Sequence, residues 1–198
     1  MKKIACVVLA LAVLVLAFFW FSDSKEKIKN FPSTNTGIVA FGDSLTYGVG
    51  STQSGGFVSL LSRELGVPIE NMGVSGETTA DALKRVSSVV ERKPAVTLIL
   101  LGGNDFLQRV SEEKTVANLS KIIEEIHASG SAVVLLGLRD SVYKPLSENY
   151  ETAYVSDVLE GIYGNPQMMS SDGIHPNDAG YKLMSERVRP VLESLLTK

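Results

Sequence analysis

The sequence predicts an α/β protein built on a doubly wound, mostly parallel sheet of about five strands with helices on both faces. Three observations carry that prediction. Short apolar runs alternate with segments whose apolar residues recur at helical spacing. The connections between runs are long enough for right-handed crossovers. The strongest run, Ala95 to Leu101, is apolar apart from Thr97, as expected of a strand covered on both faces.

Taken in order, the chain opens with Met1-Lys2-Lys3, and Ile4 to Phe21 then carries no charge. As a helix that run would cover about 27 Å, close to the hydrocarbon thickness of a bilayer. It reads as a secretory signal peptide or a retained membrane anchor. Val15-Leu16-Ala17 suits a cleavage site, whereas Phe18-Phe19-Trp20-Phe21 suits a membrane interface and favours retention. Lys25, Lys27 and Lys29 weaken the positive-inside asymmetry, but the very short N-terminal tail favours export of the remaining chain. Ser22 to Thr36 is polar, contains Pro32 and lacks periodicity, so it reads as a linker. The expected organisation is residues 1–21 signal or anchor, 22–36 linker, and 37–198 one globular domain.

Within that domain Gly37 to Phe41 is the first strand, and Gly42-Asp43-Ser44-Leu45 the turn that ends it. Tyr47 to Gly56 is a Gly/Ser/Thr-rich loop, followed by helical spacing at Phe57, Val58, Leu60, Leu61 and Leu65. Pro68 to Met72 is a second strand ending in Gly73-Val74-Ser75-Gly76. Thr78 or Thr79 caps a helix reaching about Val90. The Ala95–Leu101 strand ends in Gly102-Gly103-Asn104-Asp105, and a helix from about Thr115 to Ser129 closes on Gly130. Ser131 to Leu138 is the fourth strand, Arg139 to Tyr150 reads as loop, and Thr152 to Leu159 as a fifth, less apolar strand. Asp178 to Leu196 has the pattern of a terminal helix kinked by Pro190.

Composition excludes several functions. The net charge is −3, and setting aside Lys2 and Lys3 leaves 17 basic against 22 acidic residues. An acidic body without a basic stripe argues against nucleic-acid binding. The lone cysteine, Cys6, lies in the apolar N-terminal run. It gives neither a disulfide framework nor a Cys-based metal site, and it precedes the hydrophobic region that should come before a lipoprotein cysteine. No His, Cys or carboxylate spacing suggests a metal, and no cofactor is expected. Gly48-Val49-Gly50 would need a glycine where Gln53 stands to make a dinucleotide fingerprint. Gly50 to Gly55 has phosphate-loop spacing, but Gly56-Phe57 replaces the Lys and Ser/Thr such a loop requires.

In a parallel sheet the three strand ends open on one edge, where such sheets bind ligands. That places Ser44 as a candidate nucleophile beside three candidate oxyanion donors: its own N–H, the Gly73 N–H and the Asn104 amide. The same clusters also suit ordinary turns. Of the two histidines, His127 lies late in a helix, where a partly exposed imidazole would favour the helix dipole. His175 lies in Ser171-Asp172-Gly173-Ile174-His175-Pro176-Asn177. A turn there could fold the Asp172 carboxylate onto Nδ1 and leave Nε2 for the Ser44 proton. An Asp-Gly turn before a Pro-initiated helix is the plainer alternative.

Together the four clusters resemble, in order and character, the motif blocks of the SGNH (GDSL) hydrolase superfamily over essentially Gly37 to Lys198. The chain is most similar to the bacterial periplasmic thioesterase/arylesterase/lysophospholipase branch. The similarity rests on Asn71-Met72-Gly73-Val74-Ser75-Gly76, Leu101-Gly102-Gly103-Asn104-Asp105, and Pro166-Gln167-Met168 through Asn177. The resemblance implies a flavodoxin-like SGNH fold and a serine esterase acting on small acyl esters or thioesters, lysophospholipids among them. It implies Ser44 as nucleophile, Asp172 and His175 completing the triad, and Gly73 and Asn104 as oxyanion donors. Leu45, Phe106, Leu107, Tyr143 and Ile174 are candidates for an acyl pocket. One departure is expected: Pro145 to Glu151 leaves hardly a turn for the helix this branch carries after its fourth strand. A carbohydrate O-deacetylase would use the same centre, and a non-catalytic lipid- or glycan-binding module would keep the fold. The intact set of base and orienting acid disfavours the latter.

Overall fold

The computed structural model describes residues 27–52 and 55–196, so the apolar run read as signal or anchor lies outside it. Five strands form one all-parallel sheet: β1 Ile38–Gly42, β2 Ile69–Gly73, β3 Val96–Leu100, β4 Ala132–Leu136 and β5 Ala153–Val155, in the order β2-β1-β3-β4-β5. The helices are α1 Ser44–Tyr47, α2 Gly56–Leu65, α3 Thr79–Lys84, α4 Ser87–Val90, α5 Gly103–Leu107, α6 Glu112–Ala128, α7 Asp140–Tyr150 and α8 Asp178–Ser194. Among the described residues no helix is long and apolar enough to cross a membrane.

Period-two alternation along buried strands divides the core into two layers. Ile38, Ala40, Leu98, Leu100, Val134 and Leu136 face α2 and α8 through Phe57, Leu61, Tyr181, Met184 and Val188. Val39, Phe41, Ile99, Leu101, Val133 and Leu135 face α3, α4, α6 and α7 through Ala82, Val89, Leu119, Ile123 and Leu146. Covered on both sides, β1, β3 and β4 are buried at every residue, whereas the edge strand β2 keeps Glu70 and Asn71 exposed. From β1 the chain moves outward to β2, then crosses back to place β3 on the other flank of β1. The resulting switch point lies between β1 and β3, where loops diverge and leave a crevice.

Several element expectations need correction. Arg139 to Tyr150 is not a loop: α7 runs straight through Pro145, burying Val142, Tyr143, Leu146 and Ser147. The apolar spacing outweighs the proline, whose cost is one missing donor and a local clash. The helix expected from Thr79 to Val90 is two pieces that break at Arg85 and Val86, and Thr78 caps the first in a full capping box with Asp81. The helix α6 starts one turn early because the Ser111 side chain accepts from Lys114 N. The fifth strand is only Ala153–Val155.

Part of the stretch read as linker is bonded to the domain. Lys29 N donates to Glu151 O, and Asn30 Nδ2 to His127 O at 2.7 Å and Ser131 O at 3.1 Å. Ser33 Oγ donates to Gly130 O and Asn35 Nδ2 to Ser129 O. Apart from Glu151, which precedes β5, these partners cluster around the loop that enters β4, at the edge of the sheet opposite the strand ends that carry Ser44 and Asn104.

Candidate active site

Ser44 stands at the first position of α1, a single helical turn built on the end of β1. Asp43 caps that turn, accepting from Leu45 N at 3.0 Å. Gly48, at φ +96°, ends it, and the Gly48 and Val49 N–H groups both donate to Ser44 O at 3.0 Å. The close approach of β2 to this turn requires a residue without a side chain. A Cβ at Gly73 would overlap Tyr47 N.

His175 bridges the two remaining candidates of the triad. Its Nε2 lies 2.9 Å from Ser44 Oγ and its Nδ1 2.7 Å from Asp172 Oδ2. The other Asp172 oxygen accepts from Ser170 Oγ at 2.7 Å, Ile174 N at 2.8 Å and His175 N at 2.9 Å. These bonds, the one from His175 foremost, hold the Asp172 carboxyl well below the usual carboxylate range. An ionised carboxylate can only accept, so it fixes the proton on Nδ1 and leaves Nε2 as acceptor for the Ser44 hydroxyl. The loop is closed by Ser170 N donating to His175 O and by a bridge between Met169 and Pro176. Asn177 caps α8 through Ala179 N and Gly180 N.

Two of the predicted oxyanion donors already have partners. Asn104 Nδ2 donates to Glu77 O at 2.9 Å and lies 3.4 Å from Asp43 Oδ2. The second contact is long, so that N–H is the one readily surrendered to an incoming anion. The Gly73 N–H donates to Asn71 Oδ1 at 2.9 Å, and Asn71 in turn donates to Thr46 O at 2.7 Å. Behind Asn104, Asp105 is buried and accepts from Thr79 N, Thr79 Oγ1 and Thr115 Oγ1, tying α5 to α3 and α6. Burial pushes the Asp43 carboxyl up to about 6, partly offset by the Leu45 N–H and by His175.

A cavity of about 760 Å³ opens beside Gly102 and Gly103, walled by Phe106, Leu107, Tyr143, Leu138 and Leu159 among others. Phe106 and Leu107 are exposed, whereas Tyr143 is buried and anchored by its hydroxyl to Leu101 O at 2.7 Å. Two of the five predicted pocket residues lie elsewhere. Leu45 is buried in the core on the α2/α8 side, because the turn of α1 points it inward. Ile174 stands exposed on the His175 loop and is not part of this wall.

His127 also departs from expectation, being buried rather than partly exposed. Burial, with Lys29 a lesser cause, pushes its imidazole down to about 4. Sequence reasoning missed Arg85 and Glu77 as well. Their ion pair has no spacing signature, because only the folded strand ends bring its partners together.

The chain is similar to known proteins in sequence and in fold. The model of the "GDSL-like Lipase/Acylhydrolase family" matches residues 40–164. The chain is 33% identical over 178 residues to "Esterase TesA" of Pseudomonas aeruginosa, covering 80% of this chain and 89% of that one. It is 25% identical over 175 residues to "Thioesterase 1/protease 1/lysophospholipase L1" of Escherichia coli K12, covering 80% and 84%. Among solved structures, the crystal structure of TesA superposes with a TM-score of 0.76 at 32% identity, covering 81% of this chain and 99% of that one.

Proposed function

This chain belongs to the GDSL-like lipase/acylhydrolase family and is a carboxylic ester hydrolase, and we propose that Ser44, His175 and Asp172 are the triad through which it works. The observation that carries this reading is the unbroken relay from Ser44 Oγ through both nitrogens of His175 to Asp172. Ser44 attacks the carbonyl carbon of an ester or thioester while His175 Nε2 takes its proton. The tetrahedral oxyanion is met by the Ser44 and Gly73 N–H groups and the Asn104 amide. The proton passes to the leaving group, and water then repeats the sequence on the acyl-enzyme. The Gly73 N–H starts from its bond to Asn71, so it has to share or exchange that partner, whereas Asn104 gives up only the long contact to Asp43.

The cavity beside Gly102 and Gly103 supports acyl chains as the recognised half of the substrate, with Phe106, Leu107 and Tyr143 along its wall. Lysophospholipids fit that description and accord with the name of the Escherichia coli relative. The charged-then-apolar N-terminal run supports a location outside the cytoplasm.

The full chain should hydrolyse short p-nitrophenyl esters and take up a fluorophosphonate probe, and Ser44→Ala should do neither. Undiminished turnover by Ser44→Ala would sink the assignment. Asn104→Ala should retain labelling but lose roughly 10²- to 10³-fold in kcat, the usual cost of one oxyanion donor. Turnover of lysophospholipid, acyl-CoA and acetylated sugar, measured side by side, separates the substrate classes.

A further inference from the structure

Arg85 lies outside the triad, yet its guanidinium gathers the three strand ends on which the reaction depends. Its Nε donates to Glu77 Oε1 at 2.6 Å and Oε2 at 2.8 Å, and its Nη2 to Glu77 Oε2 at 2.5 Å. The same Nη2 reaches Met72 O at 3.0 Å and Gly42 O at 3.2 Å. Those carbonyls close β2 and β1, immediately before Gly73 and one residue before the Asp43-Ser44 turn. Gly42 O also accepts from Val74 N at 2.9 Å, so the two strand ends share one cluster of bonds. The third end joins through Glu77, whose backbone carbonyl accepts from Asn104 Nδ2 at 2.9 Å. The guanidinium is stacked over the buried Phe41 ring, 4.4 Å from its centroid. The Arg85 and Glu77 side chains are only 23% and 12% exposed.

We propose that Arg85, acting through its pair with Glu77, is a positioning residue for the Asn104 amide of the oxyanion site. The proposal rests on Ser44, His175 and Asp172 being the triad. Arg85 touches no reacting atom; it fixes where the Glu77 carbonyl stands, and that carbonyl fixes which way the Asn104 amide points. Arginine suits this task where lysine would not. A planar fork serves a carboxylate and two carbonyls at fixed angles while lying flat on an aromatic ring, whereas an ammonium is a point charge. The break between α3 and α4 falls at Arg85 and Val86, at the residue whose head is drawn toward the strand ends. Displacing an oxyanion donor by about 1 Å can cost on the order of 10²-fold in rate. The expected cost of losing Arg85 therefore lies in kcat.

The experiment is a double-mutant cycle on the full chain with a p-nitrophenyl ester, with Ser44→Ala as reference. Arg85→Met should lower kcat about 10- to 100-fold and leave KM within about 2-fold. In the Asn104→Ala background the same change should cost less than about 3-fold, because the amide that Arg85 orients is already gone. Arg85→Lys should fall in between. Unchanged kcat in Arg85→Met, or a full multiplicative loss when it is combined with Asn104→Ala, would overturn the proposal. Should circular dichroism show that Arg85→Met fails to fold, Arg85→Lys carries the cycle under the same criteria. An active Ser44→Ala would overturn the triad reading itself. A slow Asn104→Ala beside a normal Arg85 variant would overturn only the positioning role.

Discussion

The imidazole of His175 is fixed at both nitrogens by hydrogen bonds, but its Cβ rests on a residue chosen for what it lacks. A Cβ on Gly50 would lie 3.1 Å from His175 Cβ and 2.5 Å from Pro176 O, and Gly50 sits at φ +91°. The loop that carries it is held from the far side, where Tyr181, buried in the core, donates to Val49 O at 2.6 Å. Gly50→Ala should therefore push the His175 imidazole away from Ser44, and, with His175 as the proposed base, we expect kcat to fall at least ~10-fold with a modest loss of stability. Gly66→Ala is the control, since Gly66 also has positive φ (+65°) but nothing within 4 Å of its Cβ position. It should lose stability and keep kcat, and equal kcat losses in the two variants would refute the contact. At this scale the candidates Ser44 and Asn104 were legible because each follows a strand in a recognisable turn, and Asp172 and His175 because they share one turn ahead of the last helix. Gly50 was not, because nothing in its neighbours shows that its loop returns to pack against a turn near the other end of the domain.

Among the elements, α7 shows what a sequence reading loses by weighting one residue over a period. Val142, Tyr143, Leu146 and Ser147 are buried at helical spacing, and Tyr150 packs against the same core. The pattern was present, but Pro145 stands in the middle of it and suggested a loop. The proline removes the N–H that would bond to Ser141 O and crowds that carbonyl, a penalty that in exposed helix interiors reaches about 3 kcal/mol. Pro145→Ala should accordingly stabilise the fold by roughly 1–3 kcal/mol, less whatever the freer unfolded chain gains. Denaturant melts of the two proteins check this, and a destabilised variant would mean that the helix depends on the ring. The break at Arg85 and Val86 could not be read in advance. No glycine or proline marks it, and the Arg85 side chain at the break bonds to carbonyls of β1 and β2, which only the folded chain brings near. The central strands were the most legible elements of all, since burial on both faces demands apolar residues at every position.

For the molecule as a whole, two buried groups tilt stability in opposite directions between about pH 4 and 6.5. Asp43 titrates at about 6 in the fold, against an ordinary 3.8. As pH falls through that interval the folded state takes up a proton before the unfolded chain does, so acidification relieves a buried charge and stabilises. His127 titrates at about 4 in the fold, against an ordinary 6.5. Here the unfolded chain takes the proton first, so acidification over nearly the same interval destabilises. Each effect is on the order of 3 kcal/mol, and they largely offset. Asp172, held low by its bonds to His175 and the loop, enters only below the ordinary carboxylate value of 3.8. The native protein should therefore show a nearly flat contribution from this pair. Asp43→Asn keeps an acceptor for Leu45 N but no longer titrates, so its stability should drop on acidification as His127 acts alone. His127→Gln should do the reverse and gain stability toward pH 4. Urea unfolding at several pH values between about 4 and 7 measures both slopes, and parallel curves for all three proteins would show that neither group is perturbed in the fold. Asp43→Asn should also be the more stable protein at pH 7 while losing activity, because the carboxylate whose burial costs the fold lies against both the Ser44 turn and the Asn104 amide.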